Sequence, residues 1–154
     1  MDRKLIARKA FASGFNCCQS VMLAFSDDIN IEKTTLLNLT APFGAGFGRT
    51  RSICGAVSCM GMVSGLLSKN DEQDIKKDKD EAYKITQQLI AQFKDRNGTI
   101  VCKELLQNIK NLTSGWVSSE RTEEYYKVRP CIKFVEDSVE ILEKYLLDNG
   151  LIDE

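Results

Sequence analysis

Helical periodicity runs through almost the whole chain, and no stretch alternates polar and apolar residues as a half-buried strand would. Over residues 2–12, Leu5, Ile6 and Ala10 repeat on one face, and Gly14 supplies a stop. Asn16 reads as the cap of a second helix that carries Val21, Met22 and Phe25 at core spacing. A third helix is expected over 32–39, ended by Pro42. After the run GAGFGR at 44–49 comes the most apolar segment, 53–67, expected to lie within a buried helix of about 51–68. Its Gly61 and Gly65, one turn apart, would admit a neighbouring backbone. Asn70 or Asp71 would start a long polar helix to about residue 94, closed by Asn97-Gly98, with Ile75, Ala82, Ile85, Leu89 and Phe93 facing inward. A short helix at 100–109 and a loop region around Gly115-Trp116, reaching Val128, follow. Pro130 opens the last helix, because its missing amide hydrogen has no intrahelical partner to lose there. The core stripe of that helix is Ile132, Val135, Val139, Leu142 and Leu146. The pattern predicts an all-α bundle, one domain over residues 1–154, wrapped round the small-residue helix.

A chain of 154 residues can bury a proper core without disulfide staples. Composition changes the picture most through what is missing: there is no histidine. That excludes an imidazole base, histidine-ligated haem, a mixed cysteine-histidine zinc site and a serine-histidine-acid triad. With 21 Lys+Arg against 22 Asp+Glu and no long tract of either sign, nucleic acid is not an expected partner. The N-terminal segment is charged and lacks the apolar core of a secretory signal, so a cytoplasmic protein is expected. The sequons at Asn38, Asn97 and Asn111 then carry no meaning. The apolar run 53–67 is shorter than the roughly 20 residues that span a bilayer and is broken by Gly55, Gly61 and Gly65, so no membrane span is expected.

In a reducing compartment, cysteines that are not core residues are metal ligands or redox thiols rather than permanent bridges. Four of the six fall near expected helix starts: Cys17 after the Asn16 cap, Cys54 after 50–52, Cys102 after Thr99 and Cys131 after Pro130. A helix N-terminus offers free amides and the positive end of the dipole, which favour thiolate, the form that attacks disulfides and binds metal. Arg49, Arg51 and Arg129 stand close to two of them in sequence. Cys18 points about 100° away from Cys17 on a helix, and Cys59 lies about 140° round the axis from Cys54, so both read as packing. Three readings compete for the other four. They could be buried small hydrophobes without chemistry. They could be a thiol exchange site, with Cys54 attacking and Cys17, Cys102 and Cys131 resolving or supporting. Or they could be a four-thiolate centre holding zinc or an iron-sulfur cluster, for which the close ligand pairs of known metal motifs are missing. Exchange is preferred, and the Cys54 thiol is expected to ionise below its usual value of about 8.5.

In GAGFGR, the amides at Gly46 and Gly48 with the side chains of Arg49 and Arg51 could hold a phosphate or carboxylate. No strand precedes the glycines, so a dinucleotide fingerprint is not expected and an interhelical turn is the plainer reading. Asp27-Asp28 and Glu123-Glu124 read as solvated faces. Trp116, Tyr125 and Tyr126 read as packing, with a pocket wall or a homo-oligomer contact as the alternatives.

In order, Phe15-Asn16-Cys17, the glycine-rich segment with Arg49, CGAVSC from Cys54 to Cys59, Cys102 before Leu105-Leu106, and Cys131 at the start of the last helix resemble the C_GCAxxG_C_C family. The resemblance covers nearly the whole chain and makes Cys17, Cys54, Cys102 and Cys131 the family positions. It implies a redox-active protein; the expectation that the thiols act on a small molecule or a partner protein comes from the cysteines themselves. Cys59 departs from it, standing where the motif has glycine.

Overall fold

The computed structural model describes residues 1–68 and 73–154. Among them are eight α-helices and no strand: α1 (Arg3–Ala12), α2 (Cys17–Phe25), α3 (Lys33–Thr40), α4 (Gly55–Leu67), α5 (Ile75–Asn97), α6 (Cys102–Leu105), α7 (Glu123–Val128) and α8 (Cys131–Asp148). The all-α expectation holds.

The sequence signals at most helix ends act as expected. Asp2 caps α1 by accepting from the Leu5 amide, and Asp74, which the residue pattern did not single out, caps α5 by accepting from the Lys77 amide. Asn16 and Gln19 form a reciprocal capping box on α2. Gly98, at φ 83°, ends α5 in the left-handed conformation that glycine adopts without a side-chain penalty. The expected start of this helix at Asn70 or Asp71 lies outside the described residues. α4 begins at Gly55, four residues later than the apolar run suggested, because 51–54 is tied sideways to another segment described below.

The core forms where α2 packs against α1, α4 and α8, with α5 laid across α4 and α8. Phe25, Met22, Met60, Leu89, Phe93, Leu142 and Leu146 are all but sealed from solvent. Each such side chain contributes about 1.5–3 kcal/mol relative to exposure. The stripe of α8 is as expected except that Ile132 is only half-buried. On α5, Ile85, Leu89 and Phe93 face inward, but Ile75 and Ala82 are exposed. On α1 the buried face is Arg3, Ala7, Ala10 and Phe11, and Leu5 points outward.

That face turns toward a charged cluster that periodicity does not reveal. Arg3 is 2 % exposed and donates to both carboxylate oxygens of Asp28, to Glu143 and to the carbonyl of Asp153. Asp28 is therefore a partner of a buried cation and not a solvated residue. Leaving such a cation without its carboxylates costs about 3–5 kcal/mol. The close backbone approach foreseen at Gly61 and Gly65 does not occur there: a Cβ at Gly61 would meet only the Thr86 side chain, at an ordinary 3.8 Å, and one at Gly65 would meet nothing within 4 Å. It occurs at Gly55, where a Cβ would stand 2.6 Å from the Phe43 carbonyl oxygen and 3.1 Å from the Cys18 nitrogen.

Candidate functional site

One cavity of about 350 Å³ opens where α2, α4, α6 and α8 begin, and Cys17, Cys54, Cys102 and Cys131 all line it. Cys17, Cys102 and Cys131 are the first residues of their helices and Cys54 is the N-cap of α4, so four helix starts converge on one space. Local bonding explains the convergence. The Cys54 amide donates to the Ile100 carbonyl (2.8 Å), the Cys102 amide to Ser52 (2.6 Å) and the Lys103 amide to Arg51 (3.1 Å). This short antiparallel contact, centred on Ile53 and Val101, brings two helix starts 48 residues apart side by side. The start of α2 is drawn in by Asn16, which donates to Ala41 (2.9 Å), and by Gln19, which donates to Leu37 (3.2 Å). Arg121 closes the far side, donating to the carbonyls of Phe11 and Phe15 (2.9 and 3.0 Å) while stacked over Phe11 and Tyr125.

The loop between Gly44 and Cys54 is wound unusually. Five successive residues, Ala45 to Arg49, and then Arg51 have positive φ between 53° and 73°. For the four that are not glycine this costs roughly 1–2 kcal/mol each. Gly46 is required on two counts, its φ of 73° and the 2.6 Å that would separate its Cβ from the Ser52 nitrogen. The amides of Gly48, Arg49, Thr50, Arg51 and Ser52 all donate to carbonyls within 42–47. They are turned into the loop, which agrees with the interhelical-turn reading and leaves these amides engaged with the loop's own carbonyls. What the loop presents to the cavity is guanidinium: Arg49 and Arg51 both line it, with Gly46 and Gly48 beneath.

The four thiols differ electrostatically. Cys131 is pulled down to about 7, first by the Cys17 thiol donating to it and then by Arg129, Arg51 and Arg121, against the opposing effect of burial. Cys17 is reciprocally pushed well up, first because its proton is held in the hydrogen bond to Cys131, then by burial and by the charge that Cys131 carries. Cys54, expected to be the acidic thiol, is pushed up to about 12. Burial with 4 % exposure dominates there, and the amides of Ala56 and Val57, which act in the expected direction, are outweighed. Cys102 is also raised by burial, although the Arg51 guanidinium sits 3.8 Å from its sulfur. The helix-start argument located the thiols, but it chose the wrong one as the acidic thiol because desolvation is not legible in a sequence.

All six cysteines are free thiols. Cys18 and Cys59 point away from the cavity into the core between α2 and α4, both with no exposure, where they contact each other and Cys18 reaches Met62. Among the described residues no group of three or more cysteine, aspartate or glutamate side chains is placed to hold a metal ion. Trp116, expected to be packed, is 94 % exposed at the cavity wall, and Tyr125 lines the same wall half-buried. No helix among the described residues is long and apolar enough to cross a membrane.

Fold and cavity together define an all-α protein with a multi-thiol, arginine-lined site. The chain belongs to the C_GCAxxG_C_C family, described as "Putative redox-active protein", whose model matches residues 15–145. No curated protein and no solved structure matches it.

Proposed function

We propose that the protein is a thiol-disulfide exchange protein in which Cys131 attacks and Cys17 resolves, with Cys54 and Cys102 supporting the site. The observation that carries this reading is the convergence of four thiols, from helix starts scattered over the chain, on one accessible cavity. Core cysteines without chemistry have no reason to gather where helix starts and four guanidinium groups converge, the groups that act to stabilise a thiolate. The Cys131 thiol has the lowest proton affinity of the cavity thiols whose shift is resolved and stands against Cys17, the pairing that exchange requires.

In the forward direction the Cys131 thiolate attacks one sulfur of a disulfide R–S–S–R. A Cys131–S–S–R bond forms, and RS⁻ leaves and takes up a proton. Cys17 then loses its proton and attacks the Cys131 sulfur, closing a Cys17–Cys131 disulfide and expelling the second RS⁻, which is protonated in turn. The protein has given up two electrons and two protons, and the disulfide has become two thiols. A dithiol reductant restores the protein by the reverse steps, which fits a reducing, cytoplasmic setting.

The test is to treat the fully reduced protein with hydroxyethyl disulfide, count thiols after denaturation and map any bond by peptide mass spectrometry. The expected outcome is a fall from six free thiols to four, two equivalents of mercaptoethanol per chain, and one cross-linked pair joining Cys17 to Cys131. A count that stays at six, or a bond elsewhere, overturns the reading.

A further inference from the structure

The seven arginines of this chain divide into two sets. Arg3, Arg8 and Arg96 lie outside the cavity, and each is ion-paired, with Asp28 and Glu143, with Glu136, and with Asp137 and Glu140 respectively. Arg49, Arg51, Arg121 and Arg129 line the cavity, and none has a carboxylate partner among the described residues. Among the described residues no aspartate or glutamate lines the cavity. Three of these four guanidinium groups are held by neutral acceptors. Arg49 donates to the carbonyls of Ser114 and Gly115 and to the hydroxyls of Thr113 and Ser119. Arg51 donates to the Thr113 carbonyl, and Arg121 to Phe11 and Phe15. Their charge is fixed in place and left unneutralised.

Arg129 is different. Its guanidinium rests over the Tyr125 ring at 5.1 Å and has no hydrogen-bond acceptor among the described residues, so its donor edge remains available. It lies two residues before Cys131 in the chain and lines the same cavity. Four like charges crowded into one small space repel one another; the Arg49 proton is less tightly held than usual through burial and the nearness of Arg51 and Arg129. Such an arrangement persists where something negative completes it, and one thiolate is too little to balance four cations.

We infer that the cavity takes a small disulfide or thiol carrying its own carboxylate, whose planar anion is gripped by Arg129 while Arg49, Arg51 and Arg121 supply the surrounding positive field. This rests on the exchange reading above and names its substrate class. A space of about 350 Å³ suits a molecule of metabolite size, and a planar two-oxygen anion matches the guanidinium fork. The sulfur of such a ligand is then held near Cys131 by the same anchor. The bond changes remain those of the exchange written above, with the carboxylate a spectator.

Three disulfides of nearly equal size and the same S–S chemistry separate the possibilities: 3,3′-dithiodipropionate (anionic), hydroxyethyl disulfide (neutral) and cystamine (cationic). Second-order rates with the reduced full-length protein are compared as ratios at one pH, so that the thiolate fraction cancels. The expected order is anionic, neutral, cationic, with the anionic probe ahead of the cationic one by at least on the order of tenfold at low salt and the gap narrowing as salt is added. Arg129→Gln should bring the anionic-to-neutral ratio to within about threefold of that for mercaptoethanol with the same three probes, whereas Arg96→Gln, outside the cavity, should leave it as in the wild type. Equal reaction with all three probes, at a rate that still depends on Cys131, would overturn the carboxylate inference while leaving exchange standing. No reaction of Cys131 with any probe would remove the exchange reading and this inference with it.

Discussion

Cys17 and Cys18 are neighbours in the chain, yet they belong to two different thiol pairs with opposite surroundings. Cys17 faces Cys131 in a cavity rimmed by four guanidinium groups, whereas Cys18 faces Cys59 in a sealed core beside Met62. Both pairs are sulfur against sulfur, and both sit near helix starts. What separates them is compensation. In the cavity pair, arginine charge and a donated hydrogen bond offset burial for Cys131, so one thiol is acidic and its partner is not. At Cys59 in the core pair, burial and the neighbouring Cys18 thiol act in the same direction and hold it well above the usual thiol range. The lesson is that proximity of two thiols does not make a reactive pair; an asymmetric electrostatic setting does.

The sharpest way to break this comparison is to remove one sulfur from each pair. Cys131→Ser should lower the rate of exchange with small disulfides by at least about a hundredfold, a conservative bound on the loss when an attacking group is deleted. Cys59→Ala, in the sealed pair, should leave that rate within a factor of two. Equal losses in both variants would mean that the two pairs are not functionally distinct. Cys17→Ser sharpens the assignment within the cavity: the first step survives and the second does not, so a mixed disulfide on Cys131 should accumulate and be visible as an added mass on the intact protein. Absence of that adduct would move the resolving role to Cys54 or Cys102.

The core side is tested by stability. Gly55→Ala would normally favour a helix by about 1 kcal/mol, but here the added methyl group meets the Phe43 carbonyl and the Cys18 backbone. The expected net result is a loss of about 1–3 kcal/mol, read as a lower urea midpoint with an unchanged slope. A rise in the midpoint would show that α2 and α4 are less tightly apposed than the structure has them. The smallest effect is that of Cys59→Ala on the same midpoint, a loss of about 1–2 kcal/mol for one sulfur removed from a closed site.

Much of this was legible in the residues. Caps and stops such as Asn16, Gly14 and Gly98 marked helix ends, because the capping bond and the left-handed turn are local events that need no tertiary context. The four helix-start cysteines could be listed for the same reason. The antiparallel contact of 51–54 with 100–103 could not be foreseen, since it joins two segments about 50 residues apart that carry no strand pattern. It delays the start of α4 and sets Cys102 beside Arg51. Nor could the ranking of the thiols be read. A sequence shows which amides and arginines stand near Cys54 but not that its sulfur is nearly sealed, and burial decided the outcome. Arg121, missed as a site residue, had no nearby cysteine to flag it; it reaches the cavity from a loop and stacks on aromatic rings contributed by α1 and α7.

The central claim is that Cys131 is the acidic, attacking thiol. Site-resolved alkylation of the reduced native protein between pH 5 and 10, followed by peptide mass spectrometry, tests it most directly. The folded-state value for Cys131 lies below its unfolded value, so its thiolate and the stabilisation it receives from Cys17 and the arginines are present in full above the unfolded value and are lost as pH falls through the folded one. The labelling rate at Cys131 should therefore rise with a midpoint at about 7 and lead every other cysteine, while Cys54, at about 12, remains unlabelled throughout. Earliest labelling at Cys54, or a Cys131 midpoint at or above the ordinary thiol value of about 8.5, would contradict the account.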